Sequence, residues 1–274
     1  MALIAMAVWD TEENGRSKFT KDTLNSLGQT ISVYDGKHRI VVVDNGSCQE
    51  TKALLSIVSY SNWCQVITLP ENIGTAKAIN KAWQLRKPGE NCVKMDNDVV
   101  IHQPVFGEDD NPIDQDSWID ILEECIKREP TIGIIGLKRK DCIETPWNTM
   151  EWYRSELVML PHEPGQRWLI VEKVHHVMGT CQMYSSACLD KLGYLYQMGE
   201  LYGFDDALAS VRANVAGFIT VHYPHIVIDH IDPGGDAYYE WKKQSSGLAM
   251  KRFNVEAQAY RLGYKPVYCG PEGE

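Results

Sequence analysis

Nothing in this sequence approaches the ~18 uninterrupted apolar residues of a membrane-spanning helix. The apolar opening, Ala2 to Trp9, lacks a basic flank and is too short to span a bilayer. A soluble, cytoplasmic protein with no membrane span is therefore expected. Positive charge is in deficit too, with 27 Lys and Arg against 37 Asp and Glu and a formal net charge of −10. That argues against general nucleic-acid binding, which needs a positive surface. Lys138-Arg139-Lys140 is the one compact basic run. The eight cysteines form no Cys-x-x-Cys pair and no zinc-ligand spacing, so they read as small buried residues of a reducing compartment. No Gly-x-Gly-x-x-Gly follows a strand, which removes the usual dinucleotide-binding fingerprint.

What is present is enough apolar content, 44% of 274 residues, to bury a large core. Continuous apolar runs alternate with amphipathic segments. Leu3–Trp9, Arg39–Val43, Gln65–Leu69, Cys92–Met95 and Thr131–Leu137 read as strands. Helices are expected over Ser17–Leu27, Gln49–Tyr60, Thr75–Arg86 and Ser117–Arg128. Such an order predicts an α/β fold, a mostly parallel, Rossmann-like sheet with helices on both faces. Ligands of such sheets bind beyond the carboxyl ends of the strands, where Asp10, Asp44, Glu71, Asp96 and Asp98 fall.

The stretch Lys94-Met95-Asp96-Asn97-Asp98-Val99-Val100 organises the rest. On an extended backbone Asp96 and Asp98 point to one side while Asn97 faces away. Two carboxylates that close repel unless a proton or cation sits between them, and Mn2+ or Mg2+ is the natural occupant. The similar Asp114-Gln115-Asp116 precedes Ser117-Trp118-Ile119-Asp120, a helix-capping pattern, and reads as a helix start.

Periodicity is lost from Arg139 to Val174, where Trp147, Trp152 and Trp168 mark a long aromatic-rich connection of the kind that binds ligands. Val177–Tyr184 reads as a strand interrupted at Gly179-Thr180, and Ser186–Leu192 as a short helix stopped by Gly193. Another helix opens at Phe204-Asp205-Asp206. Two short strand-like runs, Phe218–Tyr223 and Ile226–Ile228, lead to Asp229-His230-Ile231-Asp232 and a glycine loop, and a last helix is expected near Leu248–Leu262. Tyr238, Tyr239, Trp241 and Phe253 suggest an interface-forming tail and a homo-oligomer.

In this order the parts resemble the GT-A nucleotide-sugar glycosyltransferases, most closely family 2. The resemblance covers roughly residues 1 to 232 and rests on Val41-Val42-Val43-Asp44-Asn45-Gly46-Ser47, Glu71-Asn72-Ile73-Gly74 with Ala78 and Asn80, Asp96-Asn97-Asp98, the Gly179 region, Phe204-Asp205-Asp206 and His230. It implies a GT-A domain over 1–232, with a donor-binding half to about 137 and an acceptor-binding half from 138, followed by a C-terminal lid and helical tail over 233–274. Asp44 would contact the nucleobase, Asp96 the ribose or a metal-bound water, and Asp98 and His230 the metal, with Asp96 beside them. Asp10, Asn72, Gly74, Lys77, Asn97 and Gly179 would complete the donor site. Asp206 would be the general base toward an acceptor hydroxyl, Asp205 would orient the acceptor, and Trp147, Trp152 and Trp168 are the candidates for binding it.

The implied activity is transfer with inversion from a nucleoside diphospho-sugar, most simply a UDP-sugar, with Mn2+ or Mg2+ neutralising the leaving phosphates. Two departures matter. Trp9-Asp10-Thr11-Glu12 replaces the Pro-Thr-Tyr-Asn-like turn of many members, and no Gln-x-x-Arg-Trp follows the base, which argues against a processive synthase. His222 and His225 compete with His230 for the metal role. The rival readings are a non-catalytic sugar-nucleotide-binding protein of the same fold, or a haloacid-dehalogenase-type phosphatase, whose Asp-x-Asp belongs on the first strand rather than the fourth.

Overall fold

The computed structural model describes residues 1–31, 36–60, 63–102, 117–141, 155–198, 201–234 and 237–270. The first half is a strand–helix alternation: β1 (Ala2–Val8), α1 (Ser17–Thr30), β2 (His38–Asn45), α2 (Gln49–Tyr60), β3 (Gln65–Leu69), α3 (Thr75–Trp83) and β4 (Asn91–Met95). Then come β5 (Val99–Ile101), α4 (Trp118–Arg128), β6 (Ile132–Arg139), β7 (Glu156–Met159), β8 (Ile170–Val174) and β9 (Cys181–Tyr184). The chain continues through α5 (Ser186–Leu192), α6 (Asp205–Val215), β10 (Ile219–His230) and α7 (Ala237–Arg261).

The strands form one sheet in the order β3-β2-β1-β4-β9-β6-β10-β8-β7, with β5 pairing on β10. Parallel pairing joins β3, β2, β1 and β4, and also β6 and β10. Between these blocks β9 runs antiparallel to both β4 and β6. The predicted parallel core is thus present, and antiparallel strands extend it. Both faces are buried, which is why β1 is apolar at every position: Ile4, Met6 and Val8 pack toward Leu24, Leu27 and Leu122, while Leu3 and Ala5 pack toward Ile79 and Trp83. Each such fully buried aliphatic side chain contributes about 2 kcal/mol of transfer free energy.

Several elements differ from the sequence expectation. β10 is one strand of 12 residues rather than two, and its register shifts between Tyr223 and Val227, around Pro224. Proline cannot donate to the ladder, so the strand bulges there and continues. β7 and β8 lie in the stretch where periodicity is lost, and β5 was not anticipated. The last helix begins at Ala237, about three turns before the expected Leu248, because its first turns carry aromatics that face a cavity instead of the core. Ser117 caps α4 as expected, its hydroxyl accepting the Asp120 N–H at 3.4 Å. Trp147, Trp152, Asp114, Asp116 and Cys142 lie outside the described residues. The other seven cysteines are free thiols, and burial pushes Cys64 up to about 11 and Cys188 up to about 12, so neither is poised as a nucleophile.

Candidate active site

A cavity of about 380 Å³ opens at the carboxyl ends of β1, β2 and β4, with the start of α6 on its other side. β4 ends at Met95, and Asn97-Asp98 form a turn before β5. The strand alternation expected for Asp96, Asn97 and Asp98 therefore does not apply. Asp96 and Asp98 do line one cavity, but through the turn, and so does Asn97. Its amide donates to Asp10 Oδ1 at 3.1 Å and to Thr20 Oγ1 at 2.8 Å.

Pairing of β5 with β10 sets Val99 opposite His230, and the Ile231 N–H donates to the Asp98 carbonyl at 2.9 Å. His230 Nε2 consequently lies 3.4 Å from Asp98 Oδ2. The buried Arg16 guanidinium bonds the same Oδ2 and reaches Asp232 Oδ2 at 2.8 Å. Burial works against the Asp98 charge, but His230, Arg16 and Lys242 outweigh it and hold the carboxyl well below its usual range. Asp98 Oδ1 is buried and has no hydrogen-bond partner among the described residues. An orphaned anionic oxygen beside an imidazole, with the more open Asp96 on the same wall, fits a divalent cation. His222 is buried among Glu172 and Lys138, and burial pushes it down to about 4. His225 packs edge-on to Tyr223. Of the three candidate histidines, only His230 lines this cavity.

On the far wall, Lys94 is buried and its ammonium joins three elements. Nζ lies 3.0 Å from the Gly179 carbonyl, 3.4 Å from Asp96 Oδ1 and 3.5 Å from Asp205 Oδ2. Burial would lower the Lys94 pKa, but Asp205, Asp96 and Asp206 hold it well above the ordinary value. Asp206 Oδ2 accepts the Gly179 N–H at 2.8 Å and sits 3.2 Å from His176 Nε2, while Oδ1 accepts the Ala207 N–H at 2.8 Å. Gly179 is required by close approach, since a Cβ there would meet Lys94 Nζ at 2.6 Å and Asp206 Oδ2 at 3.0 Å. The two neighbouring acids are driven apart. Burial raises Asp205, helped by repulsion from Asp206 and Asp96, whereas His176, Lys94 and the Ala207 N–H overcome burial at Asp206 and lower it. Phe204, just before them, has φ 58° with its ring stacked on Phe253 of α7 at 5.2 Å. A bulky residue in the left-handed region is strained, and here the strain sits where the acid pair is aimed.

Other expected donor residues are placed differently. Asp10 is fully buried and accepts from Thr20, Thr51 and Asn97, so it is a scaffold residue. Burial raises its pKa against those bonds. Asp44 is buried with Oδ1 on the Ser47 N–H at 2.8 Å and Oδ2 unpartnered. Asn72 lines the cavity and locks its loop by accepting from Asn45 Nδ2 at 2.8 Å and from the Gly74 N–H at 2.9 Å. Gly74, at φ 94°, precedes α3 and takes no part in the cavity lining, and Lys77 is exposed on α3. Trp168 is 61% exposed, stacks on His162 and does not line the cavity.

Several lining residues were not anticipated, Lys94, His176, Lys242 and an aromatic wall, nor was Arg16, buried behind Asp98. Trp241 stands 5.0 Å from Trp9, 5.6 Å from Tyr238 and 5.9 Å from Tyr202. The spacing of Tyr238, Trp241 and Lys242, at i, i+3 and i+4, was the available sequence signal for that face. A separate cluster, His38, Asp120 and Glu123, has ligand atoms within 4.8 Å of one another, but it lies at the amino end of β2. The Lys37 and Met1 ammonium groups already pair with its carboxylates.

The fold is that of the GT-A nucleotide-sugar glycosyltransferases, and solved structures of this type match it. Mannosyltransferase PcManGT from Pyrobaculum calidifontis, in complex with GDP-Man and Mn2+, superposes with a TM-score of 0.62 at 15% identity over 94% of this chain and 68% of its own. GalNAc-T7 with UDP, GalNAc and Mn2+ gives 0.58 at 13% identity, covering 85% of this chain and 44% of its own. TarS 1-349 of S. aureus with UDP-GlcNAc gives 0.58 at 16% identity, covering 93% and 66%. The chain thus spans less than two thirds of the length of the second and third of these proteins. No protein-family model and no curated protein sequence matches the chain.

Proposed function

We propose that the protein is a metal-dependent, inverting glycosyltransferase that moves a sugar from a nucleoside diphospho-sugar, most simply a UDP-sugar, to an acceptor hydroxyl. One observation carries this reading: two carboxylate centres, Asp98 with His230 and Asp206 with Asp205, face a single cavity, and Lys94 reaches both Asp96, on the metal side, and Asp205. Such an arrangement suits a reaction in which negative charge leaves on one side and a proton leaves on the other.

In this reading Asp98, His230 and Asp96 hold Mn2+ or Mg2+, which when bound supplies Lewis-acid neutralisation of the diphosphate. Arg16 keeps Asp98 ionised and oriented. Asn72 and Asn97 shape the donor side, and Trp9, Tyr202, Tyr238 and Trp241 offer ring faces for a base or a sugar. Asp206 is the centre of base catalysis, Asp205 orients the acceptor, and Lys94 keeps the three carboxylates from repelling one another. Attack by the acceptor oxygen on the face opposite the leaving diphosphate inverts the anomeric carbon, the geometry of inverting glycoside hydrolysis.

The test is a thermal-shift scan of nucleoside diphospho-sugars with and without Mn2+, followed by measurement of donor turnover. At least one donor is expected to stabilise the protein only when metal is present. Stabilisation by none of them, with or without metal, would remove the reading.

A further inference from the structure

We infer that His176 is the proton acceptor of the transfer step and that Asp206 acts through it, as the carboxylate that orients the imidazole. This rests on the glycosyltransferase reading and specifies which atom of the site takes the proton.

The Asp206 carboxylate is already committed. Oδ2 accepts the Gly179 N–H and faces His176 Nε2, and Oδ1 accepts the Ala207 N–H. It also sits in the first turn of α6, where the helix dipole favours its charge. Every one of these contacts stabilises the anion and weakens it as a base. The imidazole is placed the other way. It lines the cavity with its side chain 28% exposed, and with the ring proton on Nε2 it donates to Asp206. Nδ1 is then a free lone pair, without a hydrogen-bond partner among the described residues.

The segment that carries His176 is pinned to α6 at alternate residues. Asn214 Nδ2 donates to the His175 carbonyl at 3.3 Å, the Val177 N–H donates to Ser210 Oγ at 3.3 Å, and the Gly179 N–H donates to Asp206. Imidazole and carboxylate are therefore held by one helix as a rigid pair, which is the preorganisation that base catalysis needs. In the step, the acceptor oxygen bonds to the anomeric carbon as the bond from that carbon to the diphosphate oxygen breaks. The bonding pair leaves on the phosphate, the hydroxyl proton passes to His176 Nδ1, and the imidazolium rests against the Asp206 carboxylate until solvent takes the proton.

The experiment measures nucleoside diphosphate release from UDP-GlcNAc, UDP-glucose and GDP-mannose with Mn2+, water being the acceptor. His176→Ala is expected to lower kcat by about 100-fold with donor KM within about twofold, and added imidazole is expected to restore at least a tenth of the lost rate. His176→Gln keeps an N–H toward Asp206 but has no basic nitrogen, so it should be as slow as His176→Ala and keeps the test alive if the alanine variant does not fold. A His176→Gln enzyme with near wild-type kcat, or a His176→Ala enzyme that imidazole does not rescue, would overturn the inference while leaving the glycosyltransferase reading intact. A wild-type protein that turns over none of the three donors and binds none of them overturns both.

Discussion

Asp98 and Asp206 are the same side chain in two settings whose difference separates their tasks. Each lies beside one histidine, His230 at 3.4 Å and His176 at 3.2 Å, Asp98 buried and Asp206 half-buried, and each is held below the ordinary carboxylate range. At Asp98 the principal donor is a cationic side chain, Arg16, and one oxygen stays unpartnered. At Asp206 backbone N–H groups take up both oxygens. Asp98 keeps an oxygen with no hydrogen bond to offer a cation, whereas each Asp206 oxygen already accepts a backbone N–H that fixes the carboxylate beside its neighbour.

If that division of labour holds, Asp206→Asn has the largest effect on turnover. Donor binding should persist within about threefold while transfer falls by up to about 100-fold, no further than in His176→Ala, read by calorimetry and diphosphate release. Comparable loss of both would merge the two centres. Asp98→Asn should do the reverse, abolishing the Mn2+ dependence of donor stabilisation. It also leaves the buried Arg16 with one anion fewer, at a cost of about 3 kcal/mol in folding stability, measurable by urea denaturation. Pairing it with Arg16→Met should recover much of that stability without recovering metal dependence.

A smaller change sharpens the comparison from the backbone side. Gly179→Ala places a methyl against Lys94 and Asp206, so kcat should fall by about tenfold at a stability cost of about 1–3 kcal/mol. Smallest is Trp241→Ala, which strips the aromatic wall but touches neither carboxylate. Donor or acceptor KM should rise by about threefold to tenfold with kcat nearly unchanged, in line with about 1 kcal/mol for one ring contact. A larger drop in kcat than for Gly179→Ala would put α7 inside the chemistry.

Much of the first half of the chain was legible because its signals are local. β1 to β4 are buried on both faces and read as apolar runs, and the turn after each strand is marked by polar residues such as Asp44-Asn45-Gly46-Ser47. The proximity of Asp98 and His230 was reachable only through the resemblance, since it depends on β5, a three-residue strand too short for any period to register. Nothing in the sequence marked Arg16 or Lys94 as buried site residues. Their burial follows from partners 82 to 216 residues away for Arg16 and on distant elements for Lys94, which no local pattern encodes. His176 was hidden for the same reason, its partner Asp206 being 30 residues on. The start of α7 was missed because Tyr238 and Trp241 read as an interface-forming tail after the glycine loop, whereas their helix turns them to the cavity.

The central claim is that a divalent cation binds at Asp98 and His230, across the cavity from the acid pair. Anomalous diffraction from crystals grown with Mn2+ and UDP tests it most directly. A manganese peak within bonding distance of Asp98 Oδ1 and His230, with the diphosphate on its open side, is the expected result. A peak at His38, Asp120 and Glu123, or UDP bound with no metal and the Arg16–Asp98 pair alone beside it, would contradict the account.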